Sequence, residues 1–187
     1  MVTSFDLPGG LPAPEDDGGA AHLTGVTMSP VQLVATSGEV VDASALTGCT
    51  VLYIYPMTGK PGVALPDGWD EIPGARGCTP QSCSFRDHFA ELKQLGVSQV
   101  YGLSTQDTDY QLEAKERLHL PFDLLSDAEF KLGDALRLPD FVADGMRLYK
   151  RMALILDGAR IRHVFYPVFP PDRNAGDVVA WLKENNV

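Results

Sequence analysis

Apolar residues along this chain follow two rhythms, and the switches between them mark the elements. Val31 to Val34 and Glu39 to Val41 read as a short hairpin turned at Ser37-Gly38. Thr50 to Tyr55 is a dense β-branched and aromatic run, which predicts a central strand buried on both faces. From Pro80 to Leu95 the residues Phe85, Phe89, Leu92 and Leu95 recur at helical spacing, and Gly96 stands where a glycine C-cap belongs. Gln99 to Leu103 then reads as a strand, Asp107 to Leu118 as a helix, Phe122 to Leu125 as a strand and Ala128 to Leu136 as a short helix. Arg151 to Leu156 and Arg160 to Phe165 form a second hairpin through Asp157-Gly158, and Val178, Val179 and Leu182 give a last helix. Strand and helix alternate through the middle of the chain, which implies βαβ crossovers in one α/β layered domain.

Three segments follow neither rhythm. Residues 1–22 carry Pro8, Gly9, Gly10, Pro12, Pro14, Gly18 and Gly19, so an extended tail is expected there and the domain over 23–187. The acidic run Glu15, Asp16 and Asp17 lacks defined ligand spacing and reads as a solvated cluster. Met57 to Gly77 holds five Gly and three Pro in 21 residues, longer than loops without a task usually run, between the buried strand and the long helix. Tyr166 to Gly176, with Pro167, Phe169, Pro170 and Pro171, reads as a stiff apolar loop that packs on the domain.

Composition narrows the partners. The 187 residues carry 15 Lys+Arg against 25 Asp+Glu, a net charge of −10, so a phosphate backbone or an anionic membrane would be repelled. With 44% hydrophobic and 21% charged residues the chain can bury a core. The longest apolar stretches, such as Val51 to Tyr55 and Met152 to Leu156, fall far short of the roughly 20 residues a membrane helix needs. Met1 to Ala21 contains no Lys or Arg to form the basic start of a signal peptide, so an unprocessed, cytoplasmic protein is expected. Three cysteines, an odd and small number, suit thiol chemistry in a reducing cell better than a disulfide scaffold.

Of the three, Cys78 is the best placed to react. It lies where the glycine-rich loop ends and the long helix begins, in Gly77-Cys78-Thr79-Pro80-Gln81-Ser82-Cys83, and Pro80 suits a first helical turn. A thiol there faces unpaired N–H groups and the positive end of the helix dipole, both of which stabilise a thiolate. Cys83 is five residues further on, which in a helix places it about 140° around the axis and about 7.5 Å along it. That exceeds the ~7 Å limit between Cα atoms for a disulfide, so the first turns must unwind before the two sulfurs can join. Two thiolates without a nearby His do not make a zinc site, and no CxxC pair is present. Cys49 reads as a core thiol, and His22, His88, His119 and His163 form no ligand or triad pattern.

At these residues a family resemblance enters. The strand ending in Tyr55-Pro56, then Gly77-Cys78-Thr79, Cys83-Ser84-Phe85-Arg86-Asp87, Gly102-Leu103-Ser104-Thr105, Leu124-Leu125-Ser126-Asp127 and Lys150-Arg151 together resemble a peroxiredoxin. The likeness runs over about 23–187 and is nearest to the Q-type, or bacterioferritin comigratory protein, subfamily. It implies a single-domain thioredoxin-like α/β fold, a central mixed sheet flanked by helices. It implies Cys78 as the peroxidatic and Cys83 as the resolving cysteine, and Arg151 as the catalytic arginine. It also implies peroxide as substrate, a thioredoxin-like dithiol as reductant, no metal, haem or flavin cofactor, and a monomer or homodimer. The family's Thr three residues before the cysteine is replaced here by Ala75; Pro56 and Thr58 precede Cys78 by 22 and 20 residues, as though the loop were inserted inside the motif. Thr58 folding back onto the sulfur is the first expectation for the active-site hydroxyl, and Thr79 the alternative. A redox sensor or disulfide relay using the same cysteine pair is the rival function; a plain binding module fits the paired cysteines and Arg151 less well.

Overall fold

The computed structural model describes residues 7–185. A seven-stranded sheet runs in the order β2-β1-β5-β4-β3-β8-β9, formed by β1 (Gln32–Ala35), β2 (Val40–Asp42), β3 (Cys49–Ile54), β4 (Val97–Ser104), β5 (Asp123–Ser126), β8 (Met152–Asp157) and β9 (Arg160–Phe165). The remaining strands, β6 (Asp140–Ala143) and β7 (Met146–Tyr149), make a separate hairpin. β3 lies parallel to β4 and antiparallel to β8, and β4 is parallel to β5, so the sheet is mixed. All six residues of β3 are buried, as its unbroken apolar run predicts. Helices complete the order: α1 (Cys78–Asp87), α2 (Phe89–Gln94), α3 (Thr108–Leu118), α4 (Lys131–Leu136) and α5 (Asn174–Asn185).

The two-residue period of β3 divides the core. Val51 and Tyr53 point to one side and pack with Phe85 of α1, Leu118 of α3 and Val178 and Leu182 of α5. Leu52 and Ile54 point to the other, against Leu23, Leu125, Leu154 and Leu136 of α4. Side chains crowd the sheet centre: a Cβ at Gly102 would stand 2.6 Å from both Tyr53 and Leu124.

Several boundaries differ from the sequence reading, each for a local reason. The helix expected over 80–95 begins at Cys78 and breaks at His88, where ψ is 3° and the Ser84 carbonyl accepts from both the backbone N–H and the ring of His88. The helix expected over 128–136 covers only Lys131–Leu136. The Asp127 carboxylate takes the Leu132 and Gly133 N–H groups at 3.2 and 2.9 Å and the Tyr149 hydroxyl at 2.6 Å, capping the helix late. The β6–β7 hairpin was not anticipated. Its Asp144-Gly145 corner, with both residues at positive φ, carries a hairpin signal, but the buried positions of its strands are adjacent or isolated and do not alternate.

Residues 7–22 contain no helix or strand, yet they are fixed to the domain. Ala20 is buried, and the Asp17 carboxylate accepts from Lys150 Nζ and from the Tyr166 hydroxyl, both at 2.6 Å. Residues 1–6 of the expected tail, and with them part of the leader reading, lie outside the described residues. The loop expected over 166–176 ends at Arg173, because α5 begins at Asn174; it packs inward through Val168 and Pro171, and Pro171 sits directly over Gly77, where any Cβ would collide with its ring. Among the described residues no helix is long and apolar enough to cross a membrane.

Candidate active site

Gly77, at φ 112°, lets the chain leave the long loop and enter α1 with Cys78 as its first residue. Cys78, in the first turn of α1, is 3% exposed and lines a cavity of about 320 Å³. Arg151, the residue immediately before β8, is buried at 3% exposure with its Nη2 3.3 Å from Cys78 Sγ. The same nitrogen reaches the carbonyls of Gly74, Ala75 and Arg76 at 3.1–3.2 Å, so one guanidinium ties the end of the loop to the sulfur. Cys78 Sγ also lies 3.8 Å from the Ala75 carbonyl, which is placed to accept the thiol proton.

The sequence reading missed the support beneath Arg151. Its Nη1 donates to Gln81 Oε1 at 2.5 Å, and Gln81 Nε2 donates to Asn174 Oδ1 at 2.9 Å. Gln81 and Asn174 are both buried. Gln81 stands three residues after Cys78, hence on the same face of α1, which was a usable signal. Asn174 lies at the start of α5, 93 residues away, and only the tertiary fold brings it in.

Cys83 is half-buried on α1, and burial pushes its thiol pKa upward. Cys49 is buried in the core, shifted the same way chiefly by desolvation. All three thiols are free. Thr58 lies with Gln106: its N–H and hydroxyl both donate to Gln106 Oε1, at 2.9 and 3.2 Å, and its carbonyl accepts from the Tyr110 hydroxyl at 3.0 Å. The structure therefore holds Thr58 on the loop after β4, and the hydroxyl lining the Cys78 cavity is that of Thr79. Pro56 is buried two residues after the end of β3 and does not line that cavity.

The 57–77 segment is folded, not loose. Trp69 and Ala75 form a small core with Ala143 and Leu148 of the β6–β7 hairpin, and the Trp69 and Phe141 rings lie 6.2 Å apart. Its outer part walls the cavity through Met57, Val63, Leu65 and Trp69. Arg151 borders a second cavity, of about 380 Å³, on the other side of residues 72–74, lined by Pro14, Phe141 and Tyr166. No group of three or more His, Cys, Asp or Glu that could hold a metal occurs among the described residues.

A mixed sheet with a parallel β3–β4–β5 centre and a thiol at the N-terminus of the helix following β3 defines a thioredoxin-like thiol protein. The Redoxin family model matches residues 17–179. The chain is 30% identical over 153 residues to peroxiredoxin Bcp of Escherichia coli K12, covering 79% of this chain and 87% of that one. It is also 30% identical over 148 residues to a chloroplastic peroxiredoxin Q of Oryza sativa subsp. japonica, spanning 78% of this chain but only 60% of the rice protein. Among solved structures, peroxidoxin BcpB of Mycobacterium tuberculosis superposes with a TM-score of 0.68 at 24% identity, covering 87% of this chain and 97% of that one. A cysteine-to-serine mutant of Xylella fastidiosa PrxQ gives 0.70 at 18% identity, covering 88% and 97%. The chain belongs to the Redoxin family and, within it, to the peroxiredoxins of the Q and Bcp type.

Proposed function

We propose that this protein is a thiol peroxidase that reduces hydrogen peroxide or organic hydroperoxides through Cys78, with electrons returned by a thioredoxin-like dithiol. The observation that carries the reading is the 3.3 Å contact of Arg151 Nη2 with Cys78 Sγ at the start of α1, beside a cavity that reaches the sulfur. In the first step the Cys78 thiolate attacks the terminal oxygen of the hydroperoxide. An S–O bond forms as the O–O bond breaks, and the leaving alkoxide or hydroxide takes a proton, giving an alcohol or water and a sulfenic acid on Cys78. Arg151 stabilises the Cys78 thiolate before attack and, as the O–O bond breaks, the negative charge that passes to the leaving oxygen, and the Gln81–Asn174 pair fixes the direction of its guanidinium. Thr79, on the cavity wall, is the hydroxyl favoured for contact with the peroxide.

In the second step the Cys83 sulfur displaces water from the sulfenic acid and forms a Cys78–Cys83 disulfide. The α1 spacing requires the first turns to open for this, as the helical rise between the two residues is about 7.5 Å. A dithiol reductant then exchanges with the disulfide and restores both thiols.

Steady-state consumption of peroxide in the presence of thioredoxin, its reductase and NADPH tests the assignment. Continuous NADPH oxidation that requires both Cys78 and peroxide is expected. A single oxidation of Cys78 with no turnover, whichever dithiol is supplied, would leave the sensor or relay reading in its place.

A further inference from the structure

The cavity at Cys78 is far larger than hydrogen peroxide needs, and its charge opposes that of the molecule. At about 320 Å³ it is roughly ten times the ~30 Å³ a water molecule occupies in the liquid. Met57, Val63, Leu65 and Trp69 supply an apolar wall. Three cations, Lys60, Arg76 and Arg117, also line it, with no Asp or Glu among the described lining residues, in a chain whose net charge is −10. Two of the three already have partners. Arg76 pairs with Asp70 at 3.0 Å, and Arg117 pairs with Glu113 at 2.7 Å while donating to the Gly59 carbonyl at 2.9 Å. Lys60 enters no salt bridge among the described residues; its Nζ lies 5.5 Å from the centre of the Tyr110 ring.

From this arrangement we infer that the pocket selects organic hydroperoxides bearing an anionic group, with Lys60 of the 57–77 segment as the specificity-determining charge. The inference rests on the peroxidase reading above. The apolar wall takes the body of the substrate, the hydroperoxide reaches Cys78, and a carboxylate or similar anion is paired by Lys60. Low-dielectric walls lined by one sign of charge raise the local concentration of the opposite sign. The hydroperoxide chemistry does not change: the terminal oxygen goes to sulfur, and the organic part leaves as the alcohol.

The test uses the full-length reduced protein and two probes that differ chiefly in charge: cumene hydroperoxide carrying a para-carboxylate, and its methyl ester. Rates of Cys78 oxidation are taken by stopped flow. The acid is expected to react about fivefold faster than the ester, the worth of one partly exposed ion pair. That preference should fade as salt rises, because exposed charges are screened. In Lys60→Gln the acid-to-ester ratio should fall to about one, and in Lys60→Glu below one. A general structural disturbance would slow both probes and leave the ratio unchanged. Equal rates for acid and ester in the unmodified protein, or a ratio that ignores Lys60, overturns the inference while leaving the peroxidase intact. No oxidation of Cys78 by either probe or by hydrogen peroxide would instead remove the peroxidase reading itself.

Discussion

A single nitrogen of Arg151 serves three carbonyls and one sulfur, so this residue holds the loop end and the reactive thiol in one geometry. A lysine there keeps the charge but loses the planar fork that reaches Gln81 and the sulfur together. Arg151→Lys should therefore slow the first-turnover peroxide step by about ten- to a hundredfold, and Arg151→Ala by about a hundredfold or more, in the range for losing an electrostatic donor at a reacting centre. Gln81→Leu should produce a smaller loss that depends on Arg151 being present, which a double-mutant cycle on single-turnover rates would reveal. Cys83 yields a pH prediction. Burial raises its pKa in the folded chain, so at neutral pH little of it is thiolate, and the fraction grows as pH rises through the raised value. Disulfide formation after a peroxide burst should accelerate as pH rises from about 7 to beyond about 9; a flat profile would mean that opening of α1, and not attack by the Cys83 thiolate, is the slow step. At this scale Cys78 and Arg151 were legible, one from its helix-start context and one from the family pattern. Thr58 was harder to place, because its partner, Gln106, sits 48 residues away and nothing in the local sequence announces it.

Among the elements, α1 carries the conflict between fold and chemistry. Its first turns contain the two cysteines, whereas Phe85 further along stacks on Tyr53 at 4.5 Å and Arg86 Nη1 donates to the Leu118 carbonyl at 2.9 Å, so the far end is anchored and the proposed Cys78–Cys83 disulfide calls for the near end to open. Oxidation should deprotect amides from Thr79 to Phe85 in hydrogen exchange and leave α5 near Val178 to Leu182 unchanged. Unaltered exchange over Thr79 to Phe85 would require a resolving thiol from elsewhere. The 57–77 segment gives a paired prediction. Thr58→Val removes the hydroxyl bond to Gln106 and should lower stability by about 1 kcal/mol, read in thermal or urea unfolding, with little effect on the peroxide step. Thr79→Val should slow that step. The reverse pattern would return the active-site hydroxyl to Thr58. The strands and helices with strong periodicity, such as β3, α3 and the β8–β9 hairpin, were legible in sequence. The β6–β7 hairpin and the folded state of the loop were not, because each is stabilised mainly by the other through Trp69, Ala75, Ala143 and Leu148.

For the molecule as a whole, the active site is assembled by parts far apart in the chain. The N-terminal segment participates: Leu7 and Pro8 line the cavity at Cys78, Pro14 borders the second cavity beside Arg151, and Asp17 is fixed by Lys150 and Tyr166. Hydrogen bonds from Lys150 first, then from Tyr166 and the Gly19 N–H, hold the Asp17 carboxyl well below the usual carboxylate range. A depressed folded pKa contributes attachment that is complete above the unfolded value of about 3.9 and is lost as pH falls through it towards the folded one. Hydrogen exchange around Ala20 to Leu23 should therefore rise below about pH 4, and Asp17→Asn should show the raised exchange already at neutral pH. The alternating elements implied the α/β class, and the resemblance to peroxiredoxins implied the thioredoxin-like arrangement. How residues 7–22 pack did not emerge, because glycine and proline content describes local stiffness and says nothing about which surface a segment lies on. The central claim is that Cys78 accepts the peroxide oxygen and Cys83 removes it. Intact-mass spectrometry of Cys83→Ser after one equivalent of peroxide tests this most directly. A gain of about 16 Da, one oxygen held on sulfur, is expected, and it should map to Cys78. Oxygen retained in Cys78→Ser instead, or a Cys83→Ser protein that turns over as fast as the unmodified chain, would contradict the account.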